Sequence, residues 1–343
     1  MVTVALDGRG ADRGPEVITA GARAAAADGI AVRVFGRPEE LADLEGAAGI
    51  EVVPAPGQIG NDEEPVAAVR SKEDASVVMA AGDVAEGRSQ ALASAGSTGA
   101  TMTAALFALR RQHGVRRPAL ALQLVVPNRD GPPTLLLDVG ANTDARTGDL
   151  VQFAYLGAAF SEAVLGVERP RIALLSVGEE QKKGSQNVVD AHAALSDAGG
   201  IEFLGNVEGR DLLAGVADVI VTDGFTGNVA LKTIEGTASA VAGAVRSAAR
   251  SGPLAALGGL LMRPALGGLR RQMNPDTTGG AILLGLRGVA VVGHGSSGPE
   301  GIANAVRLAA RAVSEHAVER TGELLEGSGA TRSALRDGKI DSS

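Results

Sequence analysis

Five times in this chain a short apolar run breaks off into Gly, Ser, Asn or Asp and then opens into a helix: after Ala93, Val139, Val177, Val221 and Val292. The fullest case is residues 216–236, VADVIVTDGFTGNVALKTIEG. Val219, Ile220 and Val221 read as a buried strand, Asp223 to Asn228 as a Gly-bearing turn, and the remainder as a helix. Such a junction leaves backbone N–H groups pointing out of the helix start, which suits phosphate or another oxyanion. In a parallel sheet the carboxyl ends of the strands lie on one edge, so the five loops are expected to face one cleft.

The same alternation runs through the chain. Strands are expected at residues 1–7, 30–35, 50–53, 91–93, 171–177 and 289–292, and helices at 15–28, 39–44, 65–87, 101–111, 149–164, 185–198 and 300–317. Residues 119–126 and 134–139 read as an antiparallel hairpin turned at 128–133. The fold class is therefore α/β, with a mainly parallel sheet and right-handed crossovers. Residues 1–325 are expected to form this unit and 326–343 a polar, disordered tail. Residues 236–275 stand apart, because they contain no acid in an acidic chain. They set Arg246, Arg250, Arg263, Arg270 and Arg271 among leucines that include Leu257, Leu260 and Leu261, with breaks expected at Gly252-Pro253 and Arg263-Pro264.

Composition excludes several functions. With no cysteine there is no disulfide framework, thiolate site or cysteine nucleophile. His113, His192, His294 and His316 have no ligand spacing, so no metal is expected. A net charge of −8, no Trp and one Tyr argue against nucleic acid as a partner. No apolar run approaches the ~20 residues of a membrane span, and no targeting segment is expected before the first strand. A cytoplasmic protein able to touch a membrane surface is expected.

Each loop also has a plainer reading. The glycines could serve tight turns alone. Lys182 and Lys183, beside Glu179 and Glu180, could be a solvated charge run, Asn228 a helix cap, and His294 a structural histidine. The chain lacks a GxSxG elbow, a P-loop and a GxGxxG turn after its first strand. Loops suited to phosphate without a nucleotide signature point to free phosphate or a small phosphorylated group.

At LLLDVGAN (135–142), SVGEEQKKG (176–184), LGNVEGRD (204–211), DGFTGNVALKTIEG (223–236), GGAILLGL (279–286) and HGSS (294–297), the chain resembles the bacterial phosphate acyltransferases. The resemblance implies a three-layer α/β/α sandwich akin to the isocitrate/isopropylmalate dehydrogenases and phosphotransacetylases, and a homodimer. It implies reversible formation of acyl phosphate from acyl-(acyl carrier protein) and inorganic phosphate. That product would feed glycerol-3-phosphate acylation in phospholipid synthesis, with no cofactor. Lys183 matches the lysine of the family's GEExxKG motif and Asn228 the asparagine of DGFxGN, and these are the expected catalytic residues. Ser94, Gly96, Ser97, Thr98, Gly99, Asp138, Asn142, Asp223, Gly224, His294, Ser296 and Ser297 are expected around phosphate and substrate. The excursion, through Arg246, Arg250, Leu257, Leu260, Leu261, Arg263, Arg270 and Arg271, is expected to meet carrier protein, membrane or a membrane-bound glycerol-3-phosphate acyltransferase. The first loop departs from the family's DAMGGD: here Arg9 replaces an apolar residue and Ala11 a glycine. Ser97 stands where asparagine is usual, and Gly298 where an acid is.

The expected chemistry is direct attack of phosphate on the thioester carbonyl, with Asn228 donating to the developing oxyanion and Lys183 offsetting negative charge. Rival readings are a phosphotransacetylase-like enzyme using acyl-coenzyme A, a non-catalytic membrane-surface scaffold, and, by fold analogy only, a metal-dependent dehydrogenase.

Overall fold

The computed structural model describes residues 1–127, 131–272 and 275–333, with only the backbone of 263–272 and 275. Among the described residues eleven strands form one sheet: β1 (Thr3–Asp7), β2 (Ala31–Gly36), β3 (Ile50–Pro54), β4 (Ala91–Ser94), β5 (Ala119–Leu124), β6 (Thr134–Leu137), β7 (Arg171–Leu175), β8 (Glu202–Val207), β9 (Val219–Val221), β10 (Ala281–Leu284) and β11 (Val289–Val292). The spatial order is β3-β2-β1-β4-β11-β10-β5-β6-β9-β7-β8.

The expectation that all five loops leave one sheet edge is corrected here. β1, β2, β3, β4 and β11 run parallel, and so do β6, β7, β8 and β9. Between these arrays lie three antiparallel pairings, β11–β10, β10–β5 and β5–β6. Three reversals turn one array against the other. The loops after β4 and β11 therefore leave one edge, and those after β6, β7 and β9 the opposite edge. The hairpin of β5 and β6 was legible in the sequence. β10 was not, because its four residues (AILL) carry no alternation.

The helices are α1 (Pro15–Ala27), α2 (Pro65–Ser71), α3 (Ser76–Ala85), α4 (Thr98–Leu109), α5 (Thr147–Phe160), α6 (Gln186–Ser196), α7 (Gly224–Ala248), α8 (Pro253–Gln272), α9 (Pro299–Ser314) and α10 (Ala317–Gly327). Successive strand residues point to opposite faces, and both faces are buried. Val4, Leu6, Ala91, Leu137 and Val291 pack with α1, α5, α6, α9 and α10. Ala5, Leu92, Leu120, Leu136 and Val292 pack with α2, α3, α4 and the first half of α7. The result is a three-layer sandwich.

Several elements differ from expectation. The helix expected at 39–44 is two short 3-10 turns, Pro38–Glu40 and Ala42–Leu44. The helix expected at 65–87 is broken between α2 and α3, where Ser76 donates its N–H to the Gly57 carbonyl instead of continuing the ladder. α8 runs through Arg263-Pro264, whereas Gly252-Pro253 does separate α7 from α8. The chain stays packed beyond Glu326: Ala330 is buried, its carbonyl accepts from Gln152 Nε2 at 2.7 Å, and the Arg332 N–H donates to the Gly114 carbonyl. Residues 334–343 of the expected tail lie outside the described residues. Among the described residues no helix is long and apolar enough to cross a membrane.

Candidate active site

The start of α7 is fixed by glycine contacts. Asp223 caps it: Oδ1 accepts the Thr226 N–H at 2.8 Å and Oδ2 the Thr226 hydroxyl at 2.7 Å. Gly224 donates its N–H to the Asn142 carbonyl at 2.7 Å, and a Cβ there would lie 2.6 Å from that oxygen. A Cβ on Gly227 would lie 1.9 Å from the Asp138 carbonyl oxygen. Backbone thus packs on backbone, and the helix docks against residues 138–142. Asn228 is carried out on the first turns of the helix, exposed, beside Gly140. The capping role weighed for Asn228 falls to Asp223.

The supporting loop is organised by Asp138, which is fully buried. Its Oδ1 accepts the N–H groups of Leu120, Gly140 and Ala141, and its Oδ2 accepts both the backbone N–H and the side-chain amide of Asn142. Burial pushes this carboxyl above the usual carboxylate range, against the opposing pull of those donors. The Asn142 amide also donates to the Pro118 carbonyl at 2.7 Å. Both side chains, expected at substrate, are turned into the scaffold.

A groove of about 390 Å³ crosses the sheet on the face covered by α4 and α7. Leu120, Leu122 and Leu124 of β5, Ala281 of β10 and Val292 of β11 are among its lining residues. Asn228, Leu231, Lys232, Ile234, Glu235 and Ala238 line it from α7. Gly96, Thr98, Gly293, His294, Gly295 and Asp12 line it from the opposite sheet edge. One groove serves both edges because the strands are short. Through Ala281 and Val292, Leu122 is level with Ser94, while Ala121 is level with Leu137 and hence Leu120 with Asp138. The two loop ends are offset by two residues along β5, roughly 7 Å.

Of the expected site residues, Gly96, Thr98, Asn228 and His294 line this groove. Ser94 is buried and donates to Asp7 Oδ2 at 2.7 Å, and Ser97 caps α4. Gly99 gives Pro65 room, since a Cβ there would lie 2.7 Å from the proline ring. Ser296 holds His294 Nδ1 through its hydroxyl at 2.8 Å, and Ser297 is buried. Asp223 and Gly224 build the helix start and do not line the groove. Lys183 is exposed, in the loop after β7, where the register sets Ser176 level with Asp223. It shares the sheet edge of Asn228 but is not among the lining residues. The two departures in the first loop point elsewhere: Arg9 pairs with Glu40 at 3.2 Å, and Ala11 packs against the core. Close approach falls instead to Gly10, where a Cβ would lie 2.5 Å from the Gly96 nitrogen.

Sequence reasoning missed Asp12, Lys232 and Glu235 as lining residues. The signal for Lys232 was present, because it follows Asn228 by four positions and so shares its helix face. Arg246, Arg250, Leu257, Leu260 and Leu261 are exposed on the α7–α8 excursion, the leucines by 55%, 61% and 74%. The side chains of Arg263, Arg270 and Arg271 lie outside the described residues. Among the described residues no three His, Asp or Glu side chains gather into a metal-holding group.

The architecture is that of the phosphotransacetylases. A branched-chain phosphotransacylase from Enterococcus faecalis superposes with a TM-score of 0.59 at 18% identity, over 91% of this chain and 99% of that one. A phosphotransacetylase from Streptococcus pyogenes gives 0.58 at 18% identity, over 91% and 94%. At the sequence level, a family model described as fatty acid synthesis protein matches residues 2–320. The phosphate acyltransferase of Heliobacterium modesticaldum is 44% identical over 331 residues, covering 94% of this chain and 98% of that protein. That of Elusimicrobium minutum is 47% identical over 273 residues, 80% of this chain and 78% of that protein. The chain belongs to the phosphate acyltransferase family.

Proposed function

We propose that this chain forms acyl phosphate from an acyl thioester of acyl carrier protein and inorganic phosphate, reversibly, for phospholipid synthesis. The observation that carries the reading is the groove itself. It has an apolar floor for a fatty acyl chain, a free-standing carboxamide at Asn228, and Gly and hydroxyl groups at its other end. A phosphate oxygen attacks the thioester carbonyl carbon. The C–S bond breaks, the carrier leaves as thiolate, and it takes up a proton from water. Asn228 donates to the carbonyl oxygen as it gains charge, and Lys183 on the neighbouring loop adds positive potential. Holding the two reactants together supplies much of the rate. Phosphate already presents an ionised oxygen near neutral pH, and thiolate is a good leaving group, so neither a strong base nor a strong acid is required.

The test is phosphate-dependent release of carrier thiol with acyl phosphate as co-product, run in parallel with acyl-coenzyme A. Release from the carrier thioester is the expected result. Release from the coenzyme A thioester alone would replace this reading with a phosphotransacetylase, and release from neither would leave a scaffold.

The α7–α8 excursion is part of the same reading. Its exposed leucines and arginines suit a peripheral contact with an anionic membrane, which would deliver the product to a membrane-bound acyltransferase of glycerol 3-phosphate. In this reading the protein works as a homodimer in the cytoplasm, as the family resemblance implies. Changing Leu257, Leu260 and Leu261 together to Asp is expected to abolish flotation with anionic vesicles. Undiminished flotation would remove the membrane contact.

A further inference from the structure

A groove that receives phosphate needs a cation, and the lining of this one is sparing with positive charge. Asp12, Lys232 and Glu235 are its carboxylate and ammonium members, so the described lining carries two carboxylates and one ammonium, beside the imidazole of His294. Lys183, the lysine singled out by motif, is not among the lining residues. Lys232 is, and it stands one helical turn beyond Asn228 on the same face of α7, about 6 Å along the axis. Its ammonium lies 2.7 Å from Glu235 Oε2, with the lysine side chain 54% exposed and the glutamate 26%. A half-exposed pair three residues apart on a helix is weak, worth ~0.2–1 kcal/mol, so an anion with more charge displaces the carboxylate readily.

We propose that Lys232 is the cation that binds the attacking inorganic phosphate in the groove, and that Glu235 holds the ammonium in place until phosphate takes it over. The inference rests on the function proposed above and deepens it. Asn228 and Lys232 would then divide the work along one helix face, the amide at the thioester carbonyl and the ammonium at the nucleophile. The spacing matches the chemistry, because the attacking oxygen must come within roughly 3–3.5 Å of the carbonyl carbon. Glu235 also offsets the charge of Lys232 when no phosphate is present. Removing it should favour phosphate twice over, by freeing the ammonium and by lifting a repulsion.

The experiment varies phosphate at saturating carrier thioester, and then the reverse. Lys232→Gln is expected to raise KM for phosphate by at least about tenfold, the factor that accompanies loss of one charge-assisted hydrogen bond, with KM for the carrier thioester unchanged. Lys232→Arg is expected to recover most of the loss, and Glu235→Gln to lower KM for phosphate below that of the native protein. A purely structural Lys232–Glu235 pair would move the melting temperature of both variants alike and neither KM. In a second arm, added inorganic phosphate is expected to raise the melting temperature of the native protein but not that of Lys232→Gln. If phosphate stabilises the native protein through Lys232 while no acyl phosphate forms, the proposed reaction fails and the phosphate site stands. If Lys232→Gln leaves both the phosphate KM and the phosphate-induced stabilisation unchanged, or raises only the carrier KM, the site is overturned.

Discussion

Replacing Gly227 with alanine is expected to undock the start of α7 and to destabilise the protein by about 3 kcal/mol or more, a large effect for one methyl group. The added Cβ would lie 1.9 Å from the Asp138 carbonyl oxygen, 2.9 Å from Thr222 Cγ2 and 3.0 Å from the Asp138 carbonyl carbon. Two of these three are backbone atoms that no rotamer change can move. Asp138 itself cannot retreat, because its N–H donates to the Thr222 carbonyl at 3.0 Å and its carboxylate is held by the Leu120, Gly140, Ala141 and Asn142 donors. Relief must come from a shift of the helix by more than an ångström, which breaks the 2.7 Å bond from Gly224 to Asn142. The matched control is Gly236→Ala on the same helix, where a Cβ meets nothing within 4 Å. That change removes a helix-interior glycine and should be neutral or stabilising by roughly 0.5–1 kcal/mol. Denaturant unfolding of the two variants checks the pair. A Gly227→Ala protein within about 0.5 kcal/mol of native would show that the close approach is not required.

Much of this arrangement is legible in the sequence. The strands are short apolar runs, and the strand–loop–helix junctions announced where polar groups would collect. What escaped is of two physical kinds. The first is direction. A four-residue strand such as Ala281–Leu284 has no periodicity to distinguish it from a loop or a buried turn of helix, yet it supplies two of the three reversals that send the loops to opposite edges. The second is the destination of polar side chains. Ser94 reaches Asp7, 87 positions away, and the Asn142 amide reaches the Pro118 carbonyl, 24 positions away. Those pairings depend on burial, which a polar residue type does not reveal. Residues that read equally well as ligand contacts therefore divided into those tied inward (Ser94, Asp138, Asn142) and those left facing the groove (Thr98, Asn228, His294). The motif reading drew attention to Lys183 because it matches the lysine of the family's GEExxKG pattern. Lys232 drew none, because a single lysine in a helix is ordinary, although its offset from Asn228 already placed both on one face.

Asn228→Ala is expected to lower kcat for acyl phosphate formation by ~10²–10³ while leaving the fold intact, the range found when one oxyanion donor is removed. The two halves of that expectation have separate grounds. Stability should hold because the cap of α7 is Asp223, and because Asn228 is exposed and its amide is bonded to none of the described residues. Alanine is also the better helix former at this position, by up to roughly 0.7 kcal/mol, so the variant should melt at or slightly above the native temperature. Activity should fall because the amide N–H groups have no counterpart nearby on α7: Leu231 and Ile234 are apolar, and Lys232 is committed to Glu235 or to phosphate. Asn228→Asp should fall at least as far, since a carboxylate accepts where the oxyanion needs a donor and adds repulsion toward phosphate. The loss should appear in kcat with KM for phosphate nearly unchanged, the reverse of the pattern expected for Lys232→Gln. Single-turnover formation of acyl phosphate, with melting curves on the same preparations, separates these outcomes. An Asn228→Ala enzyme that turns over within about threefold of native would remove Asn228 from the reaction, because the loss of a single oxyanion donor is far larger than that. A lower melting temperature in proportion to lost activity would instead place Asn228 in the scaffold with Asp138. Higher stability together with lower turnover is the signature of an exposed polar group retained for chemistry against the preference of its helix.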